Sequence, residues 1–158
     1  MSATLHLLHG LPGSGKTTYA RELAARHAAV CLSPDEWMVE RHGSNPPEAR
    51  FADYKARITA EVWEQAEAHL REGTDVILDS GFWTRAERDD ARRRARHIGA
   101  GCLLYAFQCD DSVMLQRVLA RSQAAPDTAL QINEPAFRVF QDRFQPLEAD
   151  EPHLAIRT

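Results

Sequence analysis

The residues of this chain best suited to chemistry are Gly10-Leu11-Pro12-Gly13-Ser14-Gly15-Lys16-Thr17, which fit the pattern G-x-x-x-x-G-K-[ST]. Glycines let successive backbone N–H groups turn inward together, and such a nest at the start of a helix attracts phosphate oxygens. Lys16 has the reach for the β- and γ-phosphates of ATP, and the Thr17 hydroxyl is a natural ligand for Mg2+. With Thr18 these residues form the expected ATP-binding turn. A plain strand-to-helix turn would not need Lys16-Thr17 after its last glycine. A dinucleotide turn is disfavoured as well: from Gly13 the run reads G-S-G-K-T-T, lacking the third glycine of G-x-G-x-x-G and carrying a bulky lysine in its middle.

A phosphate nest needs a strand to deliver the chain to it and a helix to leave from it. Short apolar runs alternating with longer amphipathic ones supply both. Residues 4–9 read as a buried strand, and helix formers run from Lys16 to about His27. Residues 28–32 read as a second strand, leading into a loop at 33–35. After an exposed loop at 43–48, Phe51, Tyr54, Ile58, Val62, Ala66 and Leu70 recur at steps of three or four, giving a long helix with one buried face that ends at Gly73. Residues 75–79 read as a third strand and 84–97 as a charged helix closed by Gly99. The apolar run 102–109 predicts a fourth strand buried on both faces. Asp111 or Ser112 caps a helix through about Ser122, 123–133 reads as a mobile loop, 134–144 as a helix and 154–156 as a last strand. Strand and helix alternation predicts one α/β domain over 1–158, three layers around a five-stranded, mainly parallel sheet, with a small lid over about 117–133.

Ligands of open parallel sheets bind beyond the carboxyl ends of the strands, so partners of the glycine turn belong there. Asp35 and Glu36 follow the second strand, and Asp79 and Ser80 end the third. Arg117 and Arg121, one helical turn apart, face the same way just before the loop. Each has a plainer reading: Asp35 caps the turn DEWM, Asp79 is a strand-end turn residue, and the two arginines are a solvated helix face. Their joint placement favours chemistry. Phe82, Trp83 and Arg85 follow Asp79 where a sugar or ring-bearing acceptor would sit, and Trp37 with the helix over 51–70 suits the opposite wall. Phe82 and Trp83 equally suit packing under the next helix.

Four stretches in order, GLPGSGKTT, LSPDEW, VILDSGFWTRAER and LQRVLAR, make nearly the whole chain resemble the small P-loop kinases grouped with polynucleotide kinase, zeta toxins and chloramphenicol phosphotransferase. That resemblance implies a P-loop kinase fold within the P-loop nucleoside triphosphate hydrolase superfamily. It also implies a base at Asp35 that takes the proton of the acceptor hydroxyl. Asp79 would hold the acceptor or a water of the metal, and Arg117 and Arg121 would clamp the transferring phosphoryl group. One position departs from the resemblance. Polynucleotide-kinase-like members often place a basic residue three positions after the base, where this chain has Met38, with Arg41 three further on. An acceptor carrying its own phosphate is thereby disfavoured.

Composition sets outer bounds. A length of 158 residues suits one domain, and 44% apolar with 27% charged residues is globular. The net charge of −4 disfavours nucleic acid without excluding it. The basic run 88–97 is interleaved with acids and reads as a solvated face. Cys31, Cys102 and Cys109 lie in apolar runs without metal or redox spacing, as reduced core thiols of a cytoplasmic protein. His6 and His9 point to opposite faces of a strand, and no other histidine pair has metal-ligand spacing. No apolar run is long enough for a signal or a membrane span. The expected function is an ATP- and Mg2+-dependent kinase, monomeric or homodimeric, that phosphorylates a hydroxyl of a small molecule such as a sugar, nucleoside or antibiotic-like compound. Its rivals are a polynucleotide 5′-hydroxyl kinase and a nucleotide-dependent ATPase or switch acting on a protein partner.

Overall fold

Thr4–His9, the run that delivers the chain to the glycine turn, is the central strand of the sheet. The computed structural model describes residues 2–158. Strands β1 (Thr4–His9), β2 (Val30–Leu32), β3 (Val76–Leu78), β4 (Gly101–Gln108) and β5 (Leu154–Arg157) stand in the order β2-β3-β1-β4-β5. All four strand pairings are parallel, where a mainly parallel sheet was expected. The helices are α1 (Lys16–His27), α2 (Pro34–His42), α3 (Glu48–Arg71), α4 (Arg85–His97), α5 (Asp111–Ala124) and α6 (Glu134–Arg143). The order reverses at β1, with β3 on one side and β4 on the other, and such a switch point opens a crevice at the carboxyl ends.

Alternation along the strands builds two cores. Leu5, Leu7 and Leu78 meet Ile58, Val62, Ala66 and Leu70 of α3 and Ala91 and Ala95 of α4. Leu8, Ile77 and Tyr105 meet Ala20 and Leu23 of α1 on the other face. Full burial of one such aliphatic side chain contributes about 1.5–3 kcal/mol. A third cluster packs Leu11 of the glycine turn on Met114 and Val118 of α5 and Phe137 of α6. The turn is thus anchored to the helix that carries Arg117 and Arg121.

Several elements differ from expectation. Residues 33–35 open α2 instead of forming a loop: Ser33 is its N-cap, and Pro34 fits the first turn because no N–H is needed there. Helix α5 is capped at Asp110, not Asp111 or Ser112, makes no side-chain cap bond, and runs on to Ala124. Strand β4 is buried only over 104–107, with Leu103 44% exposed, because β5 pairs with its second half alone. Cys31 is exposed and Cys102 and Cys109 are half-buried, so the thiols are not core residues; Cys31 lies on an edge strand. His27 comes beside His6, with ring centroids 5.0 Å apart, a pairing that chain spacing hid.

The basic run is also not a uniform solvated face. Arg88 is fully buried and pairs with buried Glu151, with Nε donating to Oε1 at 2.8 Å and Nη2 to Oε2 at 3.1 Å. Its Nη1 donates to the carbonyls of Phe82, Trp83 and Gln145. Arg92 pairs with Asp89 and Glu151, Arg93 with Asp90, and Arg94 with Asp90 and Glu67, which offsets most of the cluster's charge. Among the described residues no helix is long and apolar enough to cross a membrane.

Candidate active site

The glycine turn is shaped by contact as well as by sequence. Gly13 has φ 83°, and a Cβ there would stand 2.5 Å from the Met114 carbonyl oxygen of α5. Only glycine satisfies both the left-handed backbone and the close approach. Ser14 N, Ser14 Oγ and Lys16 Nζ all donate to the Leu11 carbonyl, at 3.2, 2.7 and 2.8 Å. The ammonium is therefore folded back over its own loop. Loss of surrounding water lowers its pKa to about 8, Asp79 and Asp35 hold it up, and Arg121 pushes it down.

Thr17 Oγ1 donates to Asp79 Oδ2 at 2.8 Å, joining the first turn of α1 to the end of β3. Asp79 is nearly buried, at 7% exposure. A hydroxyl and a carboxylate are hard oxygen donors, the chemistry that suits Mg2+. Asp35, in the first turn of α2, faces the open cleft. The cleft walls displace water from its carboxyl and raise its pKa above the ordinary value, opposed by Lys16 and helped by Asp79.

A cavity of 390 Å³ beyond the ends of β2, β3 and β1 collects Lys16, Thr17, Asp35, Asp79, Arg117 and Arg121. Pro12, Gly13, Gly15 and Thr18 line it as well; Gly10, Leu11 and Ser14 serve behind it, and Leu11 and Ser14 are buried. Trp83 lines the cavity and braces the turn, with Nε1 donating to the Gly10 carbonyl at 3.1 Å. Gly10 N in turn donates to the Gly81 carbonyl at 3.1 Å. Arg117 reaches across the turn, donating to the Gly13 carbonyl at 3.2 Å and to the Thr158 carbonyl at 3.3 Å. A second cavity of 820 Å³, lined in part by Leu11, Gln108, Asp110, Arg157 and Thr158, opens on the other flank, beyond β4 and β5.

Three expected acceptor residues lie elsewhere. Trp37 packs on the main core beneath the Arg41 guanidinium, 5.0 Å from its ring centroid. Phe82 is 6% exposed and belongs to the core, at φ 47°, with its carbonyl accepting from His9 Nδ1 and Arg88. Arg85 pairs with Asp89, Glu148 and Asp150. Met38 is buried, so its position points into the core and not at an acceptor. The stretch expected as a mobile loop is pinned: Ser44 Oγ donates to the Pro126 carbonyl at 2.6 Å, and Gln131 N donates to the Ser44 carbonyl at 2.9 Å.

Sequence reasoning missed Arg21 and Lys55. Arg21 lines the cavity one turn after Thr17, a spacing of four that could have revealed it. Lys55 of α3 holds its ammonium 5.9 Å from the Trp83 ring centroid and near enough to Asp35 to oppose its pKa rise. Only the packing of α3 against the cleft discloses that neighbour.

Residues 5–147 match the family model of the AAA domain. The chain belongs to the AAA domain family. No curated protein matches this AAA domain chain in sequence. Solved structures match it in fold. One is a provisionally assigned kinase from Chloroflexus aurantiacus j-10-fl, with TM-score 0.79 and 20% identity over 99% of this chain and 89% of that one. Another is the APS kinase of Mycobacterium tuberculosis in complex with AMPPNP and APS, with TM-score 0.65 and 17% identity over 99% and 88%. A chain of the Pnkp1/Rnl/Hen1 RNA repair complex gives TM-score 0.75 and 23% identity over 90% of this chain and 44% of that one. This AAA domain chain therefore has the α/β P-loop kinase fold.

Proposed function

We propose that this chain is an ATP-dependent kinase that transfers the γ-phosphoryl group to a hydroxyl of a small molecule. The observation that carries the reading is the convergence of Lys16, Asp35, Asp79, Arg117 and Arg121, from separate segments, on one 390 Å³ cleft. The hydroxyl oxygen bonds to the γ-phosphorus as the bond to the β–γ bridging oxygen breaks, and ADP leaves. Asp35 takes the hydroxyl proton, and its raised pKa makes it a better base than an ordinary carboxylate. Lys16 Nζ exchanges the Leu11 carbonyl for phosphate oxygens. Arg117 and Arg121 neutralise charge on the transferring oxygens.

Thr17 and Asp79 are the residues that would hold Mg2+, Asp79 directly or through water, and the ion would neutralise phosphate charge there. Residues 117–133 act as a lid, with Leu130 and Ile132 lining the cleft and excluding water from it. Trp83 offers a flat wall for a sugar or ring. The net charge of −4 and the largely paired 88–97 cluster support a small acceptor over a nucleic acid.

The test incubates the chain with ATP, Mg2+ and pools of nucleosides, sugars and aminoglycoside-like antibiotics, and reads by mass the gain of one phosphate. We expect a product that disappears with Asp35→Asn. Undiminished turnover in that variant overturns the assignment of the base. A 5′-hydroxyl oligonucleotide phosphorylated in preference to every small molecule replaces the acceptor class.

A further inference from the structure

A second constellation lies at the end of the sheet remote from the cleft. His6 sits midway along β1 on the face toward α1, Asp75 immediately precedes β3, and His27 is the last residue of α1. One ligand atom from each lies within 4.8 Å of the others. His6 is buried, Asp75 half-buried and His27 exposed, so the cluster opens to solvent on one side. His6 Nε2 and Asp75 Oδ2 are 3.0 Å apart.

The outward atoms are fixed from behind. His6 Nδ1 is 2.8 Å from the Tyr105 hydroxyl, and Asp75 Oδ1 accepts from Thr4 N at 2.9 Å. An imidazole anchored through its far nitrogen and a carboxylate anchored through one oxygen each leave the other atom aimed at a common point. Outer hydrogen bonds of this kind orient metal ligands.

We propose that His6 Nε2, a ring nitrogen of His27 and Asp75 Oδ2 bind a divalent transition ion of the zinc class, with water as the fourth ligand. Donors around a tetrahedral zinc at ~2.0–2.2 Å are about 3.3 Å apart, so only the exposed His27 ring must swing inward to close the set. On binding, His6 carries its one ring proton on Nδ1, donated to the Tyr105 oxygen, which frees the Nε2 lone pair for the ion. Two imidazoles and one carboxylate select zinc, cobalt or nickel over Mg2+, which prefers the all-oxygen pair of Thr17 and Asp79. The ion fastens the end of α1 to β1 and to the root of β3. It is a staple and takes no part in phosphoryl transfer, so it stands independently of the proposed function.

The test uses the full chain, stripped with a chelator and free of nucleotide, titrated with Zn2+ alone by calorimetry, with Co2+ absorption reporting geometry. We expect one equivalent to bind and the melting temperature to rise. His27→Ala, an exposed substitution whose metal-free melting should match wild type, loses both effects. Tyr105→Phe weakens binding by about 10-fold. Cys31→Ser binds like wild type, which removes the exposed thiol as an alternative ligand. No saturable binding, or binding that survives in His27→Ala, overturns the proposal.

Discussion

The two halves of the cleft are built in opposite ways. The proposed donor half is one run, residues 10–18, whose own backbone turns form the nest and whose Ser14 and Lys16 side chains hydrogen-bond within the run. The proposed acceptor half draws its residues from α2, the end of β3, α3, α5 and the pinned loop, segments far apart in the chain. Its wall depends on Trp83, which follows Phe82 at φ 47° and is held through the Arg88–Glu151 pair. A contiguous site survives as long as its loop does. A dispersed one is only as good as the packing that assembles it.

The largest effect that would break this contrast is at the donor half. Lys16→Ala should lower phosphoryl transfer by about 10³-fold, since one charged donor to the transferring group is lost. Its melting should be unchanged, because among the described residues the hydrogen bonds of Lys16 stay within the loop. Steady-state rates with matched melting curves check it, and a fully active variant removes the glycine turn from the mechanism.

Next comes the support of the acceptor wall. Glu151→Gln leaves a buried guanidinium without its counter-charge and should destabilise the fold by about 3–5 kcal/mol, read by denaturant unfolding. Where folded, that variant should raise KM for the acceptor more than KM for ATP; equal rises would merge the two halves. Acid probes the same pair. Burial opposes the Glu151 charge, but Arg88, the Glu148 N–H and Arg92 outweigh it and depress its pKa from 4.5 to about 2. A depressed carboxylate stabilises fully above its unfolded value, so about 3 kcal/mol should be lost as pH falls from ~4.5 to ~2. Wild-type stability measured across that window should fall more steeply than that of Glu151→Gln.

A smaller effect separates the halves most cleanly. Asp35→Asn should cut kcat by about 10²-fold while ATP affinity changes by less than about twofold, as nucleotide titration will show. The wild-type kcat profile should lose activity on the acid side at a pH above the ordinary carboxylate range, and the variant should lack that limb. The smallest effect belongs to Arg85→Ala. Its short ion pairs are with the exposed acids Asp89, Glu148 and Asp150, and buried Glu151, 3.8 Å away, keeps its closer bonds to Arg88 and Arg92, so transfer rates should stay within about twofold. A large loss there would return Arg85 to the acceptor wall.

The same division explains what the sequence disclosed. Strand and helix order was legible because periodicity survives in short runs, as in the α3 stripe from Phe51 to Leu70. The glycine turn was legible because its chemistry is local. The turn at 81–85 was not: Phe82, Trp83 and Arg85 are neighbours in sequence, yet one side chain enters the core, one the cleft and one an exposed ion pair. A left-handed residue at Phe82 redirects the chain, and no apolar pattern encodes it. Arg88 looked like a surface arginine because its partner Glu151 lies 63 residues away. Lys55 was hidden for the same reason, since its neighbours come from other segments.

Gly13 meets the carbonyl of Met114 with no room for even a methyl group, and Arg117 stands one turn further along that helix. Close-packed surfaces transmit displacement instead of absorbing it. The loop proposed to receive nucleotide and the helix that carries the arginines therefore share one seam. If nucleotide and acceptor bind as proposed, reciprocity requires that any free energy by which one changes the affinity for the other across this seam be the same in both directions.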